Sequence, residues 1–225
     1  SCDLQKTNNM SFLNQVIWIT GASSGIGKEL AILLSQASCK LILSSRNKEA
    51  LELVKRACAT PKNIYILPLD LEIHSNFPLK AAEAILAFGK IDMLINNGGI
   101  SQRSFAENTD FEVDKRIVNI NYLGTVGLSK AILPHFIKNK KGHFVVTTSI
   151  VGKIGTPLRS SYAASKHALH GFFDSLRAET YKKNIAVTLV CPGFVNTNIS
   201  KNALIGNGSP QGKLDTVGLS NSSET

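Results

Sequence analysis

The chain has 225 residues, of which 43% are hydrophobic and 18% charged, and its formal net charge is +9. That is enough for one well-cored α/β domain, and no run reaches the roughly 18 apolar residues that a membrane span requires. Four cysteines, Cys2, Cys39, Cys58 and Cys191, form no CxxC and have no metal-ligand spacing, so they read as buried or incidental thiols in a reducing compartment. In chain order, the polar stretch Ser1–Asn9 reads as an extension, and Val16–Thr20 as a first buried strand followed by a helix from Ile26 to Ser35. Leu41–Ser44 is a second strand and Lys48–Ala59 a second helix. Ile64–Leu67 is a third strand, Ala81–Phe88 a helix, and Met93–Asn96 a fourth strand. A long helical pattern covers Phe111 to Lys138, and a fifth strand covers Phe144–Thr148. A second long helix, Ser161–Lys183, leads to a sixth strand at Val187–Val190. Strands apolar on both faces, alternating with helices, predict a doubly wound, mostly parallel sheet covered on each side. One domain is expected over the whole chain. The Gly-, Ser-, Asn- and Thr-rich stretch from 206 to 225 is either a flap over a substrate site or a mobile tail.

The basic charge attracts anions such as a phosphorylated cofactor, an acidic substrate or a membrane surface, or it is a solvated surface. Its densest cluster, Lys138, Lys140 and Lys141, lacks the interleaved aromatics of a nucleic-acid platform, and no nucleic-acid partner is expected. Thr20-Gly21-Ala22-Ser23-Ser24-Gly25-Ile26-Gly27 joins the first strand to the first helix. Glycines there give a tight turn and let a pyrophosphate approach backbone amides at a helix N-terminus. Gly25 and Gly27 leave little bulk, and Ile26 can anchor the turn in the core. The second strand ends in Ser44-Ser45-Arg46 with no acidic residue to bind a ribose 2′-hydroxyl. Arg46 can instead pair with a 2′-phosphate, which favours NADP(H) over NAD(H). Asp70-Leu71 follows the third strand, where the carboxylate either accepts from an adenine amino group or caps a turn. Asn96-Asn97-Gly98-Gly99 follows the fourth strand, and strand C-termini at a topological switch point are where such sheets bind ligands.

Tyr162 and Lys166 lie four apart on one helix face. A phenol with a reference pKa of about 10 is protonated at neutral pH, and a nearby ammonium would pull that value down. The pair could then exchange a proton with an alcohol or carbonyl. Ser149, at the end of the fifth strand, and Tyr162, on the next helix, can converge on one oxygen. Ketone reduction needs such a proton donor, a hydride donor and a group to stabilise oxyanion character. His167 and His170 are expected to face solvent, and Cys191 to pack beside Pro192. Leu169, Phe172, Phe173 and Leu176 form one apolar face of this helix. Ala164, Ala168 and Gly171 form a smooth second face, either an intrachain contact or a subunit interface.

Taken together, the TGxxxGIG loop, Asn96-Asn97-Gly98-Gly99, Asn121, Ser149, Tyr162-x-x-x-Lys166 and Pro192-Gly193 resemble the short-chain dehydrogenase/reductase family. The resemblance covers about Phe12 to Asn202. It implies a Rossmann-like fold and an NADP(H)-dependent oxidoreductase acting on a small-molecule carbonyl or alcohol of lipid-, steroid- or retinoid-like kind. Tyr162 would be the general acid/base, and Lys166 would lower its pKa and hold the nicotinamide ribose. Ser149 would bond the substrate oxygen, and Asn121 would support a proton-relaying water chain. Gly21, Ser23, Ser24, Gly25, Ile26, Gly27, Arg46, Asp70, Leu71, Asn97, Gly98, Pro192, Gly193, Val195 and Thr197 would contact the cofactor. Asp92 would brace the central strands. Relatives are often dimers or tetramers, so a homodimer or homotetramer is expected. The location expected is cytoplasmic, or membrane-associated if an anchor precedes the chain. Two features depart from the family: Gly98 stands where alanine is usual, and the chain reaches Thr225 without the further helix and last strand that usually follow. The second departure leaves open a nucleotide-binding scaffold without turnover.

Overall fold

The protein is described here by a computed structural model, over residues 12–193, 195 and 198–213. Six strands form one sheet: β1 (Val16–Thr20), β2 (Lys40–Ser44), β3 (Ile64–Ile66), β4 (Met93–Asn96), β5 (Gly142–Thr147) and β6 (Ile185–Val190). Their spatial order is β3-β2-β1-β4-β5-β6, and every pairing is parallel. The helices are α1 (Gly25–Ser35), α2 (Lys48–Ala57), α3 (Phe77–Phe88), α4 (Phe111–Val118), α5 (Thr125–Asn139), α6 (Ser160–Thr180) and the short α7 (Asn198–Lys201). This is the doubly wound Rossmann-like sheet that the alternation predicts.

The period-2 alternation of β1 divides the core between two faces. Trp18 joins Ile42, Leu94 and Phe144 under α3, α5 and α6, whereas Ile17 and Ile19 join Leu41 and Leu43 under α1 and α2. On the first face, Phe136, Phe144 and Phe173 are fully buried, with successive ring centroids 4.9 and 6.3 Å apart. Burying each such side chain contributes about 2–3 kcal/mol. Leu169, Phe173 and Leu176 of α6 are buried and Phe172 packs partly buried against the same cluster, so the apolar face predicted for this helix is the one that meets the sheet.

Asp92 braces the sheet as expected. It accepts the Val16 N–H at 2.9 Å and pairs with Lys90 at 2.8 Å and Lys141 at 3.7 Å. Burial alone would raise its pKa, but the Lys90 bond, the Val16 amide and the charges of Lys90 and Lys141 together hold it below the usual carboxylate value.

The two largest differences from the sequence reading lie in helices. Helix α3 begins at Phe77, four residues early, because Pro78 sits in its first turn, where a missing N–H costs nothing. The long pattern from Phe111 is interrupted by a π-helical turn at Asn119–Gly124, between α4 and α5. The widened turn lies at a crowded crossing, where a Cβ on Gly124 would fall 2.5 Å from the Leu71 carbonyl oxygen. Among the described residues, no helix is long and apolar enough to cross a membrane.

Candidate active site

The strand order reverses between β1 and β4, and a cleft of about 350 Å³ opens there at the C-terminal ends of the strands. The glycine loop forms its floor. Gly21 has φ +65°, and a Cβ on it would stand 2.8 Å from the Gly98 Cα, so two backbone segments touch where side chains would part them. Gly27 does not line the cleft; its Cα packs beneath, against the Gly21 carbonyl oxygen. Thr20, the first residue of the loop, has no role assigned by the sequence and is the organiser of this contact. Its hydroxyl accepts the Asn97 and Gly98 amides, each at 3.0 Å. The Asn97 side chain donates back to the carbonyls of Thr20 and Gly21 at 3.3 and 3.4 Å. The one signal for Thr20 in the sequence is its place just before the first glycine. At Gly98 a Cβ would meet the Leu71 Cδ1 at 2.7 Å, so a side chain there would require the leucine to shift.

The loop, β2, β3 and β4 bring Gly21, Ser23, Ser24, Gly25, Ile26, Arg46, Asp70, Leu71, Asn97 and Gly98 to the cleft wall. Ser24 precedes α1 without using its side chain as a cap, leaving the first-turn amides facing the cleft. Arg46 is exposed at the rim. Asp70 lines the cleft and also accepts the Glu72 amide at 3.0 Å, so it serves as a turn residue whatever else it binds. A dinucleotide fits this wall: glycines allow close approach, a helix N-terminus faces in, and a cation stands beyond the second strand.

At the other end of the cleft, β5, α6 and the segment after β6 supply Ser149, Tyr162, Lys166, Pro192, Gly193 and Val195. Thr197 lies outside the described residues. Ser149 follows β5 and accepts the Val151 amide at 3.2 Å; its hydroxyl also lowers the pKa of the Tyr162 phenol, which lines the same end of the cleft. Lys166 is one turn along α6 from Tyr162, with Nζ 5.7 Å from the phenol ring centroid and 2.9 Å from the Thr147 carbonyl, to which it donates. It is 4% exposed, and burial lowers its pKa to about 8.

Asn121 does not line the cleft. It is wholly buried in the π-helical turn, accepting the Ile100 amide at 2.8 Å and donating to the Ile100 carbonyl at 2.9 Å and to Ser165 Oγ at 3.1 Å. Its side chain thus holds the strand-like segment after Gly99 against α6, behind Lys166.

Three expectations are corrected. The phenol is not brought down on balance: burial raises the Tyr162 pKa, and what opposes burial is Ser149 and then the charge of Arg103. Nothing local in the sequence announces that the loop carrying Arg103 approaches Tyr162 closely enough for its charge to act there. His170 is buried rather than solvent-facing, at 8% exposure, with Nδ1 lacking a hydrogen-bond partner. Cys191 is exposed rather than packed, and its Sγ lies 3.8 Å from His170 Nε2. Of the stretch from 206 onward, residues 206–213 dock onto the loop after β4: the Asp110 amide donates to the Gly206 carbonyl at 2.9 Å.

Comparison with known proteins agrees with this architecture. The family model for short chain dehydrogenase matches residues 15–206. The mouse protein dehydrogenase/reductase SDR family member 7B is 43% identical over 218 residues, covering 94% of this chain and 68% of the relative. The human dehydrogenase/reductase SDR family member 7 is 47% identical over 200 residues, covering 86% of this chain but 59% of its own length. Among solved structures, a short chain dehydrogenase/reductase from Burkholderia phymatum in complex with NAD superposes with a TM-score of 0.79 at 26% identity, over 84% of this chain and 69% of that one.

Proposed function

The chain belongs to the short-chain dehydrogenase family, and from that membership and the geometry of its cleft we propose that it is an NADP(H)-dependent oxidoreductase interconverting a carbonyl and a secondary alcohol. One observation carries the reading. Ser149, Tyr162 and Lys166 line one end of a cleft whose other end is the glycine loop and Arg46. A nicotinamide dinucleotide, when bound, supplies or takes the hydride at the substrate carbon. The chain's own residues handle the oxygen. Ser149 donates to it, and Tyr162 gives up its phenolic proton as the oxygen gains negative charge. Because its pKa is raised, Tyr162 stays protonated at neutral pH, which suits it to the reducing direction. Oxidation needs the phenolate, so its rate rises with pH. Lys166 keeps a positive charge beneath the phenol at neutral pH and stabilises that phenolate once it forms.

Arg46 supports the phosphorylated cofactor over the NAD bound by the Burkholderia relative. In Arg46→Ser, the NADPH KM should rise about 10- to 100-fold, the loss of one or two charge-assisted hydrogen bonds, with the NADH KM little changed. An unchanged NADPH KM would remove the preference for NADP(H). Apolar groups near Ser149 support a lipid-, steroid- or retinoid-like substrate: Ile150 is 51% exposed, and Val195 and Ile199, at 47% and 38%, line the cleft. The deciding assay is NADPH oxidation across ketones of increasing apolar bulk. A KM that falls as the apolar arm grows bears the reading out. A melting-temperature rise with NADPH but no oxidation of it would instead favour a nucleotide-binding scaffold.

A subunit interface on α6 is part of the same reading. Ala164, Ala168 and Gly171 are all exposed, and nothing lies within 4 Å of a Cβ on Gly171. Sedimentation at micromolar concentration should give a dimer or tetramer, and a monomer alone would exclude it.

A further inference from the structure

The helix that carries Tyr162 begins without a cap of its own. The first-turn amides of a helix have no intrahelical acceptor, and the residue before the helix usually supplies one. In α6 that residue is Arg159, whose side chain gives no cap hydrogen bond. The acceptor comes from far along the chain. Gln102 Oε1 accepts the Ser161 amide at 2.9 Å and the Tyr162 amide at 3.3 Å. Gln102 Nε2 donates to Thr109 Oγ1 at 3.3 Å and Ser160 Oγ at 3.4 Å. All four hydrogen-bonding positions of the amide are used, and the side chain is 0% exposed. The orientation is fixed by chemistry, since a flipped amide would set an NH₂ group against two N–H donors.

The backbone around Gln102 is tied down equally well. Leu204 donates to the Ser101 carbonyl at 2.9 Å, and Arg103 donates to the Leu204 carbonyl at 2.8 Å. Ser104 donates to the Leu158 carbonyl at 3.1 Å, just before α6. The segment 203–212 therefore docks through Leu204 on Ser101 and Arg103, the two residues that flank the capping Gln102. On α6 itself the Ser161 hydroxyl also bonds Asp114 of α4.

We propose that Gln102 is a positioning residue: it caps α6 through space, fixes Tyr162 against Ser149, and couples the docking of segment 203–212 to the placement of the phenol. The proposal rests on the reading of Tyr162 as the proton carrier. A helix N-terminus shifted by a fraction of a turn would move the phenol away from Ser149, and misplacements near 1 Å cost about 10²-fold in rate.

The test uses the full chain with Gln102→Leu and Gln102→Glu. In Gln102→Leu, amide hydrogen exchange at Ser161 and Tyr162 should quicken by about tenfold, the loss of a hydrogen bond to each. The Cζ resonance of carbon-labelled Tyr162, assigned with Tyr162→Phe, should move, because the phenol leaves Ser149. With NADPH and a ketone substrate, kcat should fall about 10- to 100-fold while NADPH affinity stays within about twofold. Gln102→Glu keeps the acceptor, and the Ser160 hydroxyl can turn to donate. It should restore exchange protection, recover part of kcat, and move the alkaline limb of the oxidation pH profile upward, since a carboxylate near Tyr162 disfavours the phenolate. Unchanged exchange and an unchanged Tyr162 resonance in Gln102→Leu would overturn the proposal. So would a fall in NADPH affinity equal to the fall in kcat, which marks general damage. If Gln102→Leu does not fold, Gln102→Glu decides through the pH profile and the resonance. Absence of turnover in the wild type would overturn the proposed function, but exchange and the resonance judge the cap and the phenol's placement without it.

Discussion

Tyr162→Phe is expected to lower kcat by about 10²- to 10⁴-fold in both directions, with NADPH affinity within about twofold of wild type. Tyr162 is 8% exposed and lines the cleft beside Ser149, and burial holds its pKa above the usual value. A phenylalanine ring fills the same volume, so no cavity forms and α6 keeps its contacts. What goes is the one proton that can reach the oxygen beside Ser149. The pH dependence gives a second check. In the wild type, reduction should be flat through neutral pH and fall only as pH rises through the raised pKa of Tyr162. Oxidation should climb over the same range. Both profiles should vanish with the hydroxyl. If Tyr162→Phe keeps wild-type turnover, proton transfer runs through another group, and Lys166, whose pKa of about 8 also lies near neutrality, is the next to replace.

The sheet was legible because its strands are apolar on both faces and short, and a buried parallel sheet leaves few other readings. The glycine loop was legible for a local reason: close backbone approach excludes side chains, and Gly21 against Gly98 shows that exclusion directly. The Tyr162–Lys166 pair was legible from helical spacing alone. What failed to show in the sequence depends on partners remote along the chain. The π-helical turn at Asn119–Gly124 has an unbroken helical pattern, and its cause is tertiary: Gly124 lies on the Leu71 carbonyl and Asn121 on Ile100. Gln102 looks like any polar loop residue until α6 arrives 58 residues later to use it. Burial of His170 follows from how α6 lies on the sheet, which the helix period does not specify once both faces carry small residues. The direction of the Tyr162 pKa was misjudged for a related reason. Spacing showed the cation but not the depth of burial, and burial is the larger effect.

Lys166→Met is expected to stabilise the fold at neutral pH while removing most activity. Burial lowers the Lys166 pKa from 10.5 to about 8, so below pH 8 the folded chain carries an ammonium that water would solvate better. That lowering corresponds to a penalty on the order of 3 kcal/mol at neutral pH. The Thr147 carbonyl, which accepts from Nζ at 2.9 Å, offsets part of what is gained by replacing the charge, since leaving it unpaired costs about 1–3 kcal/mol. Methionine keeps the unbranched stem packed against α6. The net gain should be about 1 kcal/mol in urea unfolding at pH 7. It should shrink at higher pH for a definite reason. Between pH 8 and 10.5 the unfolded chain binds the lysine proton more tightly than the folded one, so wild-type stability rises across that window and the penalty is gone above it. Activity should move the other way, with kcat down about 10²-fold because the phenolate loses its counter-charge. A variant both less stable at pH 7 and fully active would show that the ammonium is there for the fold. A more stable, inactive one would show that the fold carries a buried charge for the sake of Tyr162.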